Sequence, residues 1–415
     1  MISRRCFLSM AGFGAAGLAI GETAEGKDPA GGPGPQQSRP ATEEPPAPPR
    51  IQARRALGKT GLELADVGCG AINLFNPNVL RYAFECGVNH FDTAEGYMNG
   101  NSEKALGQAL KDVRPKVLIT SKYLLRTPAD YDRASLIRRV EASLKRLQTD
   151  YLDIAMVHDA DRPEKLSHEE VAAAYSELKR QGKARFIGFS THAPGLVIEK
   201  AAASGVWEVL LTIYNHVEGP QVESLLAAAR RRGMGVIAMK VLAGGMQGSL
   251  KPFVNDKVSY AQAAMRWVLG NPSIDALIVT MSTFSHVEDY VAASGAAPRR
   301  ADAALLERYR SEAGTQYCRV GCRDCLAACP RGVAVNEVLR YAMYFEHYGM
   351  EKQACSLYRR LGAKGKPTVC TGCDAPCEKA CPYGLQVRDR LLRSHRMLRL
   401  CNRGARRIEQ LTLQK

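Results

Sequence analysis

From Leu64 onward, short apolar runs alternate with stretches whose apolar residues recur at helical spacing. The runs LADVGCG (64–70), VNHFDTA (88–94), VLITSK (117–122) and LDIAMVH (152–158) come first. RFIGFS (185–190), VLLTIYN (209–215), GVIAMK (235–240) and DALIVT (275–280) follow. Such Val/Ile/Leu-rich runs suit parallel strands covered on both faces. Between them, Leu136–Leu147, Glu169–Gln181, Gln221–Arg232 and Tyr260–Leu269 predict helices. Eight successive strand–helix units predict an α/β fold, a closed (β/α)8 TIM barrel over residues 53–310. No strand leads into G-x-G-x-x-G, so a doubly wound dinucleotide fold has no support.

The 415 residues are 46% apolar and 24% charged, which excludes a disordered chain or a coiled-coil rod. Lys plus Arg exceed Asp plus Glu by 57 to 42, a formal charge of +15. The only long apolar run is at the start, and nothing after it reaches the roughly 20 residues needed to span a bilayer. No transmembrane segment is therefore expected in the mature chain. The string Ser3-Arg4-Arg5-Cys6-Phe7-Leu8, with the apolar stretch to Ile20, resembles a twin-arginine export signal over residues 1–21. It predicts a periplasmic or otherwise exported protein. Residues 22–52 are rich in Pro and Gly and predict a disordered tether.

A barrel carries its chemistry where strands end. There the chain has Asp92, Lys122, His158, Ser190 and Asn215, with Tyr97 in the loop after Asp92. Asp92, Tyr97, Lys122 and His158 suit carbonyl reduction. An ammonium at Lys122, kept charged by Asp92, is expected to lower the pKa of the Tyr97 phenol. A neutral His158 would donate to the same oxygen, and hydride would come from a nicotinamide. One reading keeps these four residues while cofactor use has changed.

RALGKTGLELADVGCGAI, FDTAEGY, TSK and LDIAMVHD together resemble the aldo-keto reductase superfamily over roughly residues 53–295. The resemblance implies Asp92, Tyr97, Lys122 and His158 as the catalytic set, with Ser190 and Asn215 near the nicotinamide. It places Leu211 where the family commonly has glutamine, and Met239, followed by Lys240, where an aromatic side chain often covers the ring. The last loop, TMSTFSHVEDY (280–290), contributes Ser282 and His286. Thr280 and His286 stand where the family usually has the cations that clamp a 2′-phosphate, so NAD, weakly held NADP or no nicotinamide all stay open.

Most of the 13 cysteines follow Tyr317. They form the runs Cys318, Cys322, Cys325, Cys329-Pro330 and Cys370, Cys373, Cys377, Cys381-Pro382. Each is close to the bacterial two-cluster ferredoxin run, in which the fourth cysteine serves the other cluster. The crossed rule predicts two 4Fe–4S clusters, one on Cys318, Cys322, Cys325 and Cys381, the other on Cys370, Cys373, Cys377 and Cys329. Zinc and disulfides are the competing readings. Cys69, Cys86, Cys355 and Cys401 read as small buried side chains.

Residues 333–361 read as helix, and 311–400 as a small, mainly helical ferredoxin-like iron–sulfur domain with a basic tail at 401–415. Arg390, Arg393, Arg396 and Arg399 stripe a last helix at 386–399, a solvated face or a dock for an acidic redox partner. No nucleic-acid motif accompanies this charge. The expectation is an exported NAD(P)-dependent oxidoreductase acting on an aldehyde, ketone or alcohol. The alternative is an iron–sulfur electron-transfer protein whose barrel is mostly scaffold.

Overall fold

The computed structural model describes residues 47–412 apart from 75, 218–219, 245–258, 314–315 and 317. The expected export signal and most of the tether lie outside the described residues. The tether also ends earlier than expected. The Ile51 amide donates to Cys86 O at 2.9 Å and that of Gln52 to Ser294 Oγ at 2.9 Å, fastening both residues to the barrel.

The described chain opens with an antiparallel hairpin, β1 (Arg54–Ala56) and β2 (Glu63–Ala65). Eight further strands follow: β3 (Val67–Gly70), β4 (His90–Asp92), β5 (Leu118–Leu124), β6 (Leu152–His158), β7 (Ala184–Thr191), β8 (Val209–Ile213), β9 (Gly235–Met239) and β10 (Ala276–Thr280). They close into a parallel barrel in the order β10-β3-β4-β5-β6-β7-β8-β9. All eight expected strands are present, but the first run is divided. Asp66 interrupts it, buried, with its carboxylate accepting from Ser294 Oγ at 2.5 Å and the Gly295 amide at 2.8 Å.

Alternate residues of a strand face the same side, so Ile154 with Met156, Val209 with Leu211, and Ile237 with Met239 fill the barrel interior. Leu57, Leu62 and Leu64 of the hairpin complete that inner core. The hairpin turn seats against the first residue of β9. A Cβ on Gly58, at φ +51°, would lie 2.3 Å from the Gly235 amide nitrogen, so glycine is required there. The strand-start end is thereby plugged, which leaves the strand-finish end for chemistry.

Helices jacket the outside. Arg133–Leu147 buries Leu136, Val140, Ser143, Leu144 and Leu147, one face at helical spacing, and the Asp132 carboxylate caps its start by accepting from the Ser135 amide at 2.7 Å. Beyond Arg300–Ala313, the C-terminal part packs Val338, Tyr344, Ala354, Leu357, Tyr358, Leu391 and Leu398 into a second core with Cys325, Cys370 and Cys377.

Three C-terminal expectations are corrected. Residues 333–361 form two helices, Val335–His347 and Glu351–Arg360, separated at Gly349 with φ +62°. The last helix runs from Val387 to Thr412 and takes in most of the expected tail. The barrel and the cysteine-rich part do not separate: residues 48–415 form one compact unit. Cys69, Cys86 and Cys355 are buried as expected, but Cys355 is disulfide-bonded.

Candidate active site

Asp92 ends β4, Lys122 lies in β5 and His158 ends β6. Tyr97 begins the turn after β4, where Met98 (φ 49°) and Asn99 (φ 55°) both take left-handed backbone. Such strain persists only where the surroundings hold it, and here it follows the residue that must point into the mouth. The structure brings all four expected catalytic residues to one cavity of about 120 Å³. Lys122 Nζ donates to Asp92 Oδ1 at 2.5 Å and to Thr93 O at 2.6 Å. The same ammonium lies 5.0 Å from the centre of the Tyr97 ring, and His158 meets that ring edge-on at 5.6 Å.

The electrostatics correct one expectation. Burial comes first, with Asp92, Tyr344 and Asp159 adding to it, and the Tyr97 phenol is held well above its usual range rather than made acidic. Asp92 already neutralises the lysine, and a buried phenolate would stand beside a carboxylate. Burial, aided by Lys122, drives His158 well below its ordinary value, so the imidazole is neutral as expected.

The other side of the cavity comes from the cysteine-rich part. Arg340, Tyr341 and Tyr344 of helix Val335–His347, with Tyr348 just after it, line the same space. Lys240 Nζ sits 4.9 Å from the Tyr344 ring centre and 5.0 Å from that of Tyr348, a doubly faced cation–π contact. Arg340 Nη2 lies 3.5 Å from Asp159 Oδ2, and Nη1 lies 3.8 Å from Asp161 Oδ2. Burial opposes the guanidinium charge, yet Asp159 holds its pKa well above the ordinary value. His192 Nδ1 lies 2.5 Å from Asp159 Oδ1, and the His192 amide donates to Asp161 Oδ1 at 2.7 Å. Arg340 thus supplies the cation for the Asp159–Asp161–His192 group. Sequence reasoning missed this layer, although Arg340, Tyr344 and Tyr348 recur every four residues on one helical face.

Of the six expected cofactor residues, Met239 and Lys240 line the cavity. Ser190 Oγ accepts from the Asp159 amide at 3.1 Å, and Asn215 spans Lys240 O and the Val217 amide at 3.2 and 3.0 Å. Ser282 and His286 lie away from the cavity; the Ser282 amide donates to His286 Nδ1 at 3.4 Å, and His286 stacks on Tyr290 at 5.3 Å.

The eight cysteines of the two runs are free thiols. Cys318 is pushed up to about 12 by burial and then by Cys322, Cys325 and Cys381 around it. Cys370 is pushed up to about 11 by burial and then by Cys329, Cys373 and Cys377. The second foursome lines one small enclosed pocket. Each of these sets of neighbours includes one cysteine of the other run.

A family model described as "Aldo/keto reductase family" matches residues 75–251. L-galactose dehydrogenase of Arabidopsis thaliana is 31% identical over 281 residues, which cover 58% of this chain and 87% of that protein. The aldo-keto reductase AKR11C1 from Bacillus halodurans, in its holo form, superposes with a TM-score of 0.55 at 22% identity, covering 62% of this chain and 96% of that one. An aldo-keto reductase from Klebsiella pneumoniae in complex with NADPH gives a TM-score of 0.53 at 24% identity, over 62% and 95% of the two chains. These two structures share the barrel fold with this chain.

Proposed function

The chain belongs to the aldo/keto reductase family and is an NAD(P)-dependent oxidoreductase, and we propose that its barrel mouth interconverts a carbonyl and an alcohol with Tyr97 as proton donor. The observation that carries this reading is the buried Lys122–Asp92 pair, with its ammonium 5.0 Å from the Tyr97 ring centre and His158 edge-on to that ring at 5.6 Å. The phenol stays protonated through neutral and alkaline pH because burial raises its pKa. Neutral His158 orients the carbonyl oxygen. As negative charge builds on that oxygen, Lys122 stabilises it and Tyr97 gives up its proton. The largely apolar lining of the mouth lowers the local dielectric and strengthens both interactions.

The cavity fits a nicotinamide. Leu211, Met239 and Ile278 give it an apolar lining, and Asp92 Oδ2 and His158 Nδ1 are buried without hydrogen-bond partners. When bound, the ring supplies the hydride. Burial lowers His286, so the place of the family's 2′-phosphate clamp holds a neutral ring and Thr280 rather than a fixed cation. Tyr97→Phe tests the assignment: carbonyl reduction should fall about 100-fold or more while NADPH still binds by fluorescence titration. Reduction left within twofold of wild type would remove Tyr97 from the chemistry.

We further propose that the two cysteine foursomes hold 4Fe–4S clusters. Four converging thiols are unstable as thiolates without a cation, and sulfur donors suit iron or zinc. Among the described residues the only Asp, Glu, His and Cys ligand atoms found as a trio within 4.8 Å are those of Asp159, Asp161 and His192, so no three cysteine sulfurs approach that closely. A zinc tetrathiolate would draw its sulfurs to about 3.8 Å, whereas a cube of iron and sulfide holds them farther apart. Such a cluster exchanges single electrons, which suits a redox-protein partner.

The basic twin-arginine start supports export to the periplasm in our reading. Replacing Arg4 and Arg5 by Lys should retain precursor in the cytoplasm in a fractionation assay, and unchanged export would refute it.

A further inference from the structure

We propose that the enzyme selects anionic, phosphate-bearing carbonyl substrates through a cationic vestibule between the barrel rim and the cysteine-rich part. The proposal deepens the carbonyl-reductase reading and rests on it. A polar cleft of about 1080 Å³ opens beside the catalytic cavity. Leu124, Arg126, Asp159, Arg340, Tyr341 and Leu357 line both spaces, so cleft and cavity are continuous.

Many of the charges that line the cleft are paired. Arg139 pairs with Glu95 and Asp130, Arg146 with Glu103, and Arg340 with Asp159 and Asp161. Five basic side chains remain: Arg126, Arg162, Lys165, Arg323 and Arg360 line the cleft, and among the described residues none has an ion-pair partner. Glu337 is the one cleft carboxylate without such a partner. Arg126, Arg162, Arg323 and Arg360 are also exposed, so their guanidinium forks are open to a ligand. Arg126 and Arg360 line the opening together.

Guanidinium forks bind phosphate through paired, charge-assisted hydrogen bonds. The volumes set the pose: the inner cavity takes the carbonyl head and the outer cleft the charged remainder. The vestibule is built on the loops after β4, β5 and β6 and on the C-terminal part, whereas Met239, Lys240 and Thr280 line the inner cavity and not the cleft.

The full-length holoenzyme, wild type and Arg162→Gln/Arg360→Gln, is assayed with NADPH on glyceraldehyde 3-phosphate and on neutral glyceraldehyde. In parallel, calorimetry measures binding of the unreactive anion 3-phosphoglycerate. The expected result is at least tenfold lower KM for the phosphorylated aldehyde, at least fivefold loss of that preference in the variant, and at least fivefold weaker 3-phosphoglycerate binding. Equal KM values in the wild type, or equal losses on both aldehydes, overturn the vestibule while leaving the reductase standing. Without turnover of either aldehyde, the calorimetric comparison decides the vestibule by itself: charge-dependent binding sustains it, and identical binding by wild type and variant removes it.

Discussion

Lys122 and Asp92 meet at 2.5 Å with their side chains 2% and 3% exposed, a charge pair enclosed on every side. Burial raises Asp92 and lowers Lys122, and their mutual contact opposes both shifts. Breaking a buried pair from one side leaves the other charge stranded, at a cost of about 3–5 kcal/mol. Asp92→Asn is therefore expected to destabilise the protein by that amount in urea unfolding and to depress carbonyl reduction. A loss under about 1 kcal/mol would mean that the Thr93 carbonyl alone suffices to hold the ammonium.

His216 predicts the acid response. Its ring stands edge-on to Tyr260, Tyr309 and Trp267, and neither nitrogen has a hydrogen-bond partner. Burial, then Arg310, lowers its pKa to about 3, and burial, then Lys122, lowers His90 to about 3 as well. Both histidines take up protons near pH 6.5 when unfolded but only near 3 when folded. Stability is thus complete above the unfolded value and declines as pH falls toward 3, by about 1.4 kcal/mol per pH unit for each ring. Thermal melts between pH 7 and 4.5 should show this slope, and His216→Phe should flatten it. A variant as acid-sensitive as the wild type would refute the assignment.

The crossed cysteine pattern predicts which iron is lost with which thiol. Cys381→Ser lies in the second run but should strip the cluster of the first, and Cys329→Ser the reverse. Each variant should retain about half the iron and sulfide of the anaerobically purified wild type. Stoichiometric zinc in the wild type would contradict the cluster proposal.

The eight barrel strands were legible because most are short apolar runs with no competing helical period, β4 (His90–Asp92) being the exception, and the strand tips then pointed to Asp92, Lys122 and His158. The acidity of Tyr97 was not legible. The ammonium at Lys122 is written in the sequence, but the burial that outweighs it and the approach of Tyr344 from the C-terminal part are products of packing. The stripe of Arg340, Tyr344 and Tyr348 shows a buried face without saying what it faces, and so the second wall of the mouth was invisible. The two-residue discrepancy at Ile51 and Gln52 has a simpler origin, since single backbone bonds to Cys86 and Ser294 leave no trace in composition.

Each cysteine foursome borrows one member from the opposite run, Cys381 joining the first and Cys329 the second. The two are therefore interlocked like links of a chain. In the proposed assignment the second set is complete only once the ribosome has passed residue 377 and the first only after residue 381, so a nascent chain cut short of residue 377 would forfeit both together.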